Sequence, residues 1–174
     1  LWQWLGFIVT GILGVVLHFL YDWLGQNPLI ALISGVNEST WEHMKLFFFP
    51  ALFCYIALCL FKRNHEPCIL YAFPKAIFLG TFLIPALFYT YSGILGFHVS
   101  FLDISTFYVS VFFSFFYLYK STVSVKKLQY SPMANVALLF LAFLFIISRS
   151  WDKINNATIT HEGHDIHKCH DSFL

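Results

Sequence analysis

The chain has 174 residues, of which 59% are hydrophobic, 21% are aromatic and only 11% are charged, and its mean hydropathy is +0.71. Because an ordinary soluble domain is about a quarter charged, this composition predicts an integral membrane protein in a lipid bilayer. The formal net charge of +1 argues against binding of nucleic acid, since phosphate contacts need many clustered Lys and Arg side chains.

Five apolar runs are long enough to cross a bilayer as helices, which takes about 20 mostly apolar residues. We therefore predict an all-α fold, a polytopic transmembrane helix bundle with about five spans. The predicted spans are residues 1–21, 44–61, 69–91, 101–119 and 133–147. Residues 28–36 are apolar but about half the required length, so we expect a short re-entrant or interfacial segment there.

The two ends of the chain differ from the bundle. Residues 1–149 are assigned to the bundle, and residues 150–174 to a polar, His-rich C-terminal tail. The tail contains His161, His164, His167, Cys169 and His170. Such a tract can bind metal, and the alternative is a disordered tail with incidental histidines. Since the chain begins at Leu1 without Met, we expect an N-terminal piece to precede it.

Small and hydroxyl side chains on two predicted helices favour helix packing. Those on the first helix, which let a neighbouring helix approach closely, are Thr10, Gly11 and Gly14. Those on the fourth, which are available for hydrogen bonds between helices, are Ser105, Thr106, Ser110 and Ser114.

Lys and Arg are concentrated in alternate loops. Residues 62–66 and 120–127 are basic, whereas residues 22–38 and 93–100 contain neither Lys nor Arg. Because basic loops stay cytoplasmic, the N-terminus is predicted inside and the C-terminus outside.

This topology brings polar residues from four helix ends to the outer face. They are His18, Asp22, Asn37, Glu38, Glu42, His43, Lys45, Tyr89, Tyr91, His98 and Asp103. Ionisable groups near membrane depth are costly and by default indicate a functional site.

The spacing of these residues suggests which side chains share a face. His18 and Asp22 are four apart, so the carboxylate is positioned to orient the imidazole or to share a metal with it. Glu38, Glu42 and Lys45 fall on one stripe of a helix, and His43 points about 100° away from Glu42. We therefore expect His43 to lie to one side. A divalent metal such as Zn²⁺ is then predicted to bind His18, Glu38 and Glu42.

Non-functional interpretations of these residues stay open. Ser39-Thr40-Trp41-Glu42 fits a capping box, in which Ser39 and Glu42 satisfy backbone amides at a helix N-terminus. His18 fits a hydrogen-bonded core histidine, and Tyr89 and Tyr91 fit interfacial aromatic residues.

Several stretches resemble a known family. They are His18 to Trp23, Val36 to Pro50 with the motif N-E-S-x-W-E-H, Pro85 to Gly96, and Leu102 to Ile104. They are similar to an uncharacterised family of small multi-pass membrane proteins from low-GC Gram-positive bacteria, catalogued as a domain of unknown function. The resemblance covers Leu1 to about Ser148 and implies a bacterial cell-membrane protein without a known activity. Members tend to end in a Pro- and Gly-containing segment, and this chain departs from them in its tail.

Three functions are compatible with the sequence. The first is binding of a metal or small ligand, with a possible extension to intramembrane hydrolysis. In that function the acid, base, orienting or substrate-donor residues are His18, Asp22, Glu38, Glu42 and Tyr89, and the ligand contacts are Asn37, His43, Lys45, Tyr91 and Asp103. The second is proton- or cation-coupled transport, for which so small a bundle is expected to form a homo-oligomer or to join a partner membrane protein. The third is a structural or partner-binding role, with the cluster as an interhelical network.

Overall fold

A computed structural model of the chain describes residues 2–27, 29–35, 39–62, 67–97, 99–123 and 133–148. The predictions for Asn37, Glu38, His98 and the His-rich tail lie outside these residues. Within them all regular structure is helical, which confirms the all-α prediction.

Five α-helices lie at the five predicted positions. They are α1 Trp2–Trp23, α2 Thr40–Lys62, α3 Pro67–Leu95, α4 Ser100–Val123 and α5 Met133–Ser148. Four helices of the described chain, α1 to α4, are long and apolar enough to cross a membrane. At 1.5 Å per residue α5 is about 24 Å long, against a hydrocarbon core of about 30 Å. The fifth span therefore stays a prediction.

The first four helices form an antiparallel bundle. α1 packs on α2 and α4, and α3 packs on the same two helices, while short connections place successive helices side by side in opposite directions. One end of the bundle, here called the site end, is formed by the C-terminal ends of α1 and α3 and the N-terminal ends of α2 and α4.

The chain divides into two compact units, residues 1–138 and 139–174. The first unit contains α1 to α4 and the beginning of α5, where Tyr55 donates a 2.9 Å hydrogen bond to Asn135 Oδ1. In the described part of the second unit, α5 continues and Ser148 donates to the Phe145 carbonyl at 3.0 Å. The predicted boundary after residue 149 stays a prediction.

Glycines and aromatic rings fit together inside the bundle. A Cβ atom on Gly14 would lie 2.5 Å from the Phe107 ring and 3.0 Å from the Leu46 carbonyl oxygen. A Cβ on Gly80 would lie 2.5 Å from Cε1 of the buried Phe47. Only a residue without a side chain allows these approaches. Because lipid is as apolar as the surfaces of the helices, close packing of this kind holds the helices together. The predicted small-residue face of α1 is confirmed.

The hydroxyls of α4 behave differently from one another. Ser114 donates a 2.6 Å hydrogen bond to the Ala76 carbonyl of α3, as expected between helices. Ser105, Thr106 and Ser110 instead donate to carbonyls of α4 itself. These three hydroxyls do not form the interhelical bonds for which they are available, because a carbonyl three or four residues earlier is always within reach of a helical hydroxyl.

A short segment connects α1 to α2 at the site end. α1 ends at a Schellman motif, in which Gly25 has a φ of +67° and the Gln26 amide donates to the Tyr21 carbonyl at 2.9 Å. A single 3₁₀ turn follows at Ile30–Leu32. The Ser34 hydroxyl then donates to the Leu17 carbonyl of α1. The expected short segment between the first two spans is therefore packed against α1.

Candidate functional site

Ser39 begins α2 as its N-cap. The Glu42 amide donates to Ser39 Oγ at 3.4 Å, which is the half of the capping box that the serine supplies. The Glu42 carboxylate has a further partner, since its Oε2 atom lies 2.7 Å from Lys45 Nζ. Capping and ion pairing thus both fix Glu42.

The Glu42–Lys45 ion pair is buried beside the connecting segment. Glu42 is 3% exposed and Lys45 is 0% exposed, and Lys45 Nζ also donates to the Ala31 carbonyl at 3.4 Å. A single charge buried at this depth would be costly, whereas a hydrogen-bonded pair is tolerated. The pair therefore ties α2 to residues 29–35.

A cavity of about 350 Å³ lies between α1, α2 and α4 at the site end. Its lining combines polar and apolar side chains. The lining residues are Gly14, Val15, His18, Phe19, His43, Leu46, Ser100, Asp103, Ile104, Phe107 and Tyr108.

Two histidines from different helices face this cavity. The ring centroids of His18 and His43 are 5.9 Å apart, and the ring planes are inclined by 34°. The expectation that His43 lies to one side is wrong. His43 and Leu46 are three residues apart, so they share a face of α2, and α1 and α4 surround that face. The Glu42–Lys45 pair is turned towards residues 29–35 instead.

The hydrogen bond of His43 determines which ring nitrogen is basic. His43 Nδ1 lies 3.0 Å from the Ser39 carbonyl oxygen. Because a carbonyl oxygen only accepts, Nδ1 carries the proton, and Nε2 is the basic nitrogen of the neutral ring. The N-terminal turn of α2 therefore sets the tautomer of a cavity residue.

Asp103 brings a carboxylate to the cavity from α4. Its Oδ1 atom accepts a hydrogen bond from the Tyr91 hydroxyl near the end of α3. Asp103 also lies in the first turn of α4, where the helix dipole favours negative charge. The structure brings four of the predicted residues together at one end of the bundle: His18, His43, Tyr91 and Asp103.

Other predicted residues do not reach the cavity. Asp22 is exposed and has no side-chain hydrogen bond or ion pair with any described residue, so the expected orientation of His18 by Asp22 is wrong for this structure. Tyr89 is 65% exposed and packs edge-on against Phe88. Glu42 and Lys45 are held in their own ion pair.

The described residues include no group of three or more His, Cys, Asp or Glu side chains that could hold a metal ion. In the predicted set of His18, Glu38 and Glu42, the last is paired with Lys45 and Glu38 lies outside the described chain. The described side chains alone therefore do not form the metal site.

Seven lining residues that carry no charge were missed from the sequence. They are Val15, Phe19, Leu46, Ser100, Ile104, Phe107 and Tyr108. The missed signal was helical spacing: Ser100, Ile104 and Tyr108 recur every four residues along α4 and so form one stripe with Asp103 and Phe107.

Comparison with known proteins gives one match. A family profile described as Family of unknown function (DUF6512) matches residues 1–153. No curated protein and no solved structure matches the chain. The resemblance to an uncharacterised family is confirmed to this extent, and its bacterial origin stays a prediction.

Proposed function

Since the chain belongs to the family of unknown function DUF6512, we propose its function from the site alone: this multi-pass membrane protein binds a small ligand in the cavity between α1, α2 and α4. The observation that carries the proposal is the pair of imidazoles from two helices, which lie 5.9 Å apart and both line one cavity. Polar groups that converge on a concave site from separate elements are typical of ligand recognition.

Three polar lining residues, His18, His43 and Asp103, have a role in this proposal. His43 Nε2 accepts a hydrogen bond from the ligand, or donates one when the ring is protonated. His18 supplies a second imidazole, and Asp103 accepts from a hydroxyl or ammonium group. Tyr91 does not line the cavity and positions Asp103 through its hydroxyl.

Hydrolysis of the bound ligand is the second candidate. It is favoured by the His43 tautomer, because a general base needs an unprotonated nitrogen that faces the substrate. In this version His43 Nε2 removes a proton from water, and His18 or Asp103 takes part in proton transfer. Turnover of the bound ligand that is abolished in His43→Gln, while ligand binding is retained, would support it.

The Glu42–Lys45 pair favours a structural role over proton transport. A proton carrier must release its partner during a cycle, and Lys45 is fixed by both Glu42 and the Ala31 carbonyl. We therefore assign these two residues to the scaffold and the cavity residues to the ligand.

We place the cavity on the outer side of a bacterial cell membrane, with the N-terminus in the cytoplasm. The distribution of Lys and Arg between alternate loops supports this orientation. Cysteine labelling with a membrane-impermeant maleimide in cells tests it. A cysteine at the exposed Gln26 should react with the reagent in intact cells. Absence of labelling at that cysteine in intact cells would contradict this orientation.

The proposed function is tested by an inventory of bound molecules. Wild type, the His18→Ala/His43→Ala double variant and Gly93→Ala are purified in the same mild detergent, extracted with organic solvent and compared by mass spectrometry. Gly93 is a suitable control because nothing lies within 4 Å of a Cβ at this position. We expect a compound that accompanies wild type and the control but not the double variant. Identical inventories from three equally helical preparations would refute ligand binding.

A further inference from the structure

The cavity has a side opening between α1 and α4. Several of its lining residues are also on the outer surface of the bundle: Phe19 is 46% exposed and Ile104 is 59% exposed, and Val15 and Tyr108 are exposed as well. All four belong to helices that can cross the membrane. A molecule in the bilayer can therefore reach the cavity from the side.

The opening is confined to the site end. Farther along the same helix pair, α1 and α4 are in close contact, since a Cβ on Gly6 would lie 2.6 Å from Cε1 of Phe115. A Cβ on Gly11 would lie 3.4 Å from Tyr108 Cε1. Since a Cβ on Gly14 would also lie 2.5 Å from the Phe107 ring, α1 and α4 are in contact from Gly14 onwards, and the opening lies nearer the site end, at Phe19 and Ile104.

Polarity changes along the cavity in the direction that an amphiphile requires. His43 and Asp103 are each three residues from the start of their helix, about 4.5 Å at 1.5 Å per residue. Val15 and Tyr108 are each eight residues from the site end, about 12 Å along the helix axis. His18 lies five residues from the end of α1, about 7.5 Å along the axis, and Phe19 and Ile104 lie beside these polar groups at the opening. The polar side chains are therefore in the outer part of the cavity, and Val15 and Tyr108 lie deeper.

The size of the cavity limits what part of a lipid fits. A volume of about 350 Å³ is at the small end of the roughly 300–1,000 Å³ that is usual for ligand pockets. It accommodates a headgroup with the adjoining part of one chain, while the remaining hydrocarbon stays in the bilayer through the side opening.

We infer that the ligand is a phospholipid that enters laterally between α1 and α4, with its headgroup at His18, His43 and Asp103 and one acyl chain against Val15, Ile104 and Tyr108. This inference rests on the proposed function. The two imidazoles suit the phosphate oxygens as donors when protonated, and the Asp103 carboxylate suits a headgroup hydroxyl or ammonium.

The test compares lipid retention in matched variants. Protein reconstituted in vesicles of phosphatidylglycerol and phosphatidylethanolamine is extracted in mild detergent, and bound lipid is counted by native mass spectrometry. Ile104→Trp fills the side opening. Val109→Trp is its control, because Val109 is an exposed β-branched residue of the same helix that does not line the cavity. His43→Ala removes a headgroup contact, and free glycerol phosphate serves as the water-soluble probe.

We expect wild type and Val109→Trp to retain a phospholipid, and Ile104→Trp and His43→Ala to lose about tenfold in affinity, equivalent to about 1.4 kcal/mol. Glycerol phosphate should bind far more weakly than the lipid. If Ile104→Trp retains the lipid, or if glycerol phosphate binds as well as the lipid in a His43-dependent way, lateral lipid entry is refuted while ligand binding survives. If His43→Ala changes neither lipid nor glycerol phosphate binding and the inventory of bound molecules is also unchanged, both proposals fail.

Discussion

The ammonium group of Lys45 lies 2.7 Å from the carboxylate of Glu42, one helical turn earlier, and neither side chain is appreciably exposed. The same ammonium donates to the Ala31 carbonyl. One buried pair therefore joins the first turn of α2 to the segment that precedes it.

Breaking the ion pair from one side should destabilise the protein strongly. Lys45→Met leaves Glu42 buried without its cation, for which we expect a loss of about 3–5 kcal/mol in the free energy of unfolding. The double variant Glu42→Leu/Lys45→Met should lose less than the sum of the two single variants. Thermal and denaturant unfolding in detergent, followed by circular dichroism, measures this. Additive losses would show that the pair is not coupled.

Gly80 should not tolerate a methyl group. Because a Cβ there would meet the fully buried Phe47 ring, with Cε1 at 2.5 Å, and Ser114 Cβ at 3.0 Å, Gly80→Ala should cost about 1–3 kcal/mol of stability. Gly93→Ala in the same helix meets nothing within 4 Å and should be neutral or stabilising by about 0.5–1 kcal/mol. The two melting temperatures decide the matter, and equal values would contradict this packing.

The hydroxyls of Ser114 and Ser110 offer a second matched comparison. Both are buried on α4, but Ser114 donates to α3 and Ser110 donates within its own helix. Ser114→Ala should cost about 0.6 kcal/mol or more, the mean for hydrogen bonds between membrane helices. Ser110→Ala should cost less, since alanine favours the helix and only a local bond is lost. A larger loss for Ser110→Ala in the same unfolding assay would contradict this assignment.

Removal of the Tyr91 hydroxyl should affect both stability and binding. Tyr91→Phe loses the hydrogen bond to Asp103, and we expect about 1 kcal/mol of destabilisation together with weaker retention of the ligand. Tyr89→Phe, at a largely exposed position, is the control. The prediction fails if both variants bind and unfold alike.

Helix positions and the end of the bundle at which polar residues gather followed from the sequence. A long apolar run predicts a transmembrane helix reliably, because in lipid every backbone N–H and C=O group must form its hydrogen bond within the protein. Because successive spans run in opposite directions, the sequence also predicts which helix ends lie on the same side of the membrane. It therefore groups His18, Tyr91 and Asp103 at one end of the bundle.

The directions of side chains within that cluster did not follow. His43 and Glu42 are adjacent in sequence, and helix geometry shows only that they point about 100° apart. Which of the two faces the cavity depends on where α1 and residues 29–35 pack around α2, and that is a tertiary property. For the same reason Phe19, Ile104 and Tyr108 could not be distinguished from ordinary lipid-facing residues.

The most direct measurement is a high-resolution map of the full chain in a lipid nanodisc, compared with the His18→Ala/His43→Ala variant. We predict non-protein density in the cavity of the wild type, within hydrogen-bond distance of both imidazoles and elongated towards the opening between α1 and α4. The variant should lack this density and keep the fold. A wild-type cavity that contains only water, or that is filled by the protein's own side chains, would contradict the assignment of this site to ligand binding.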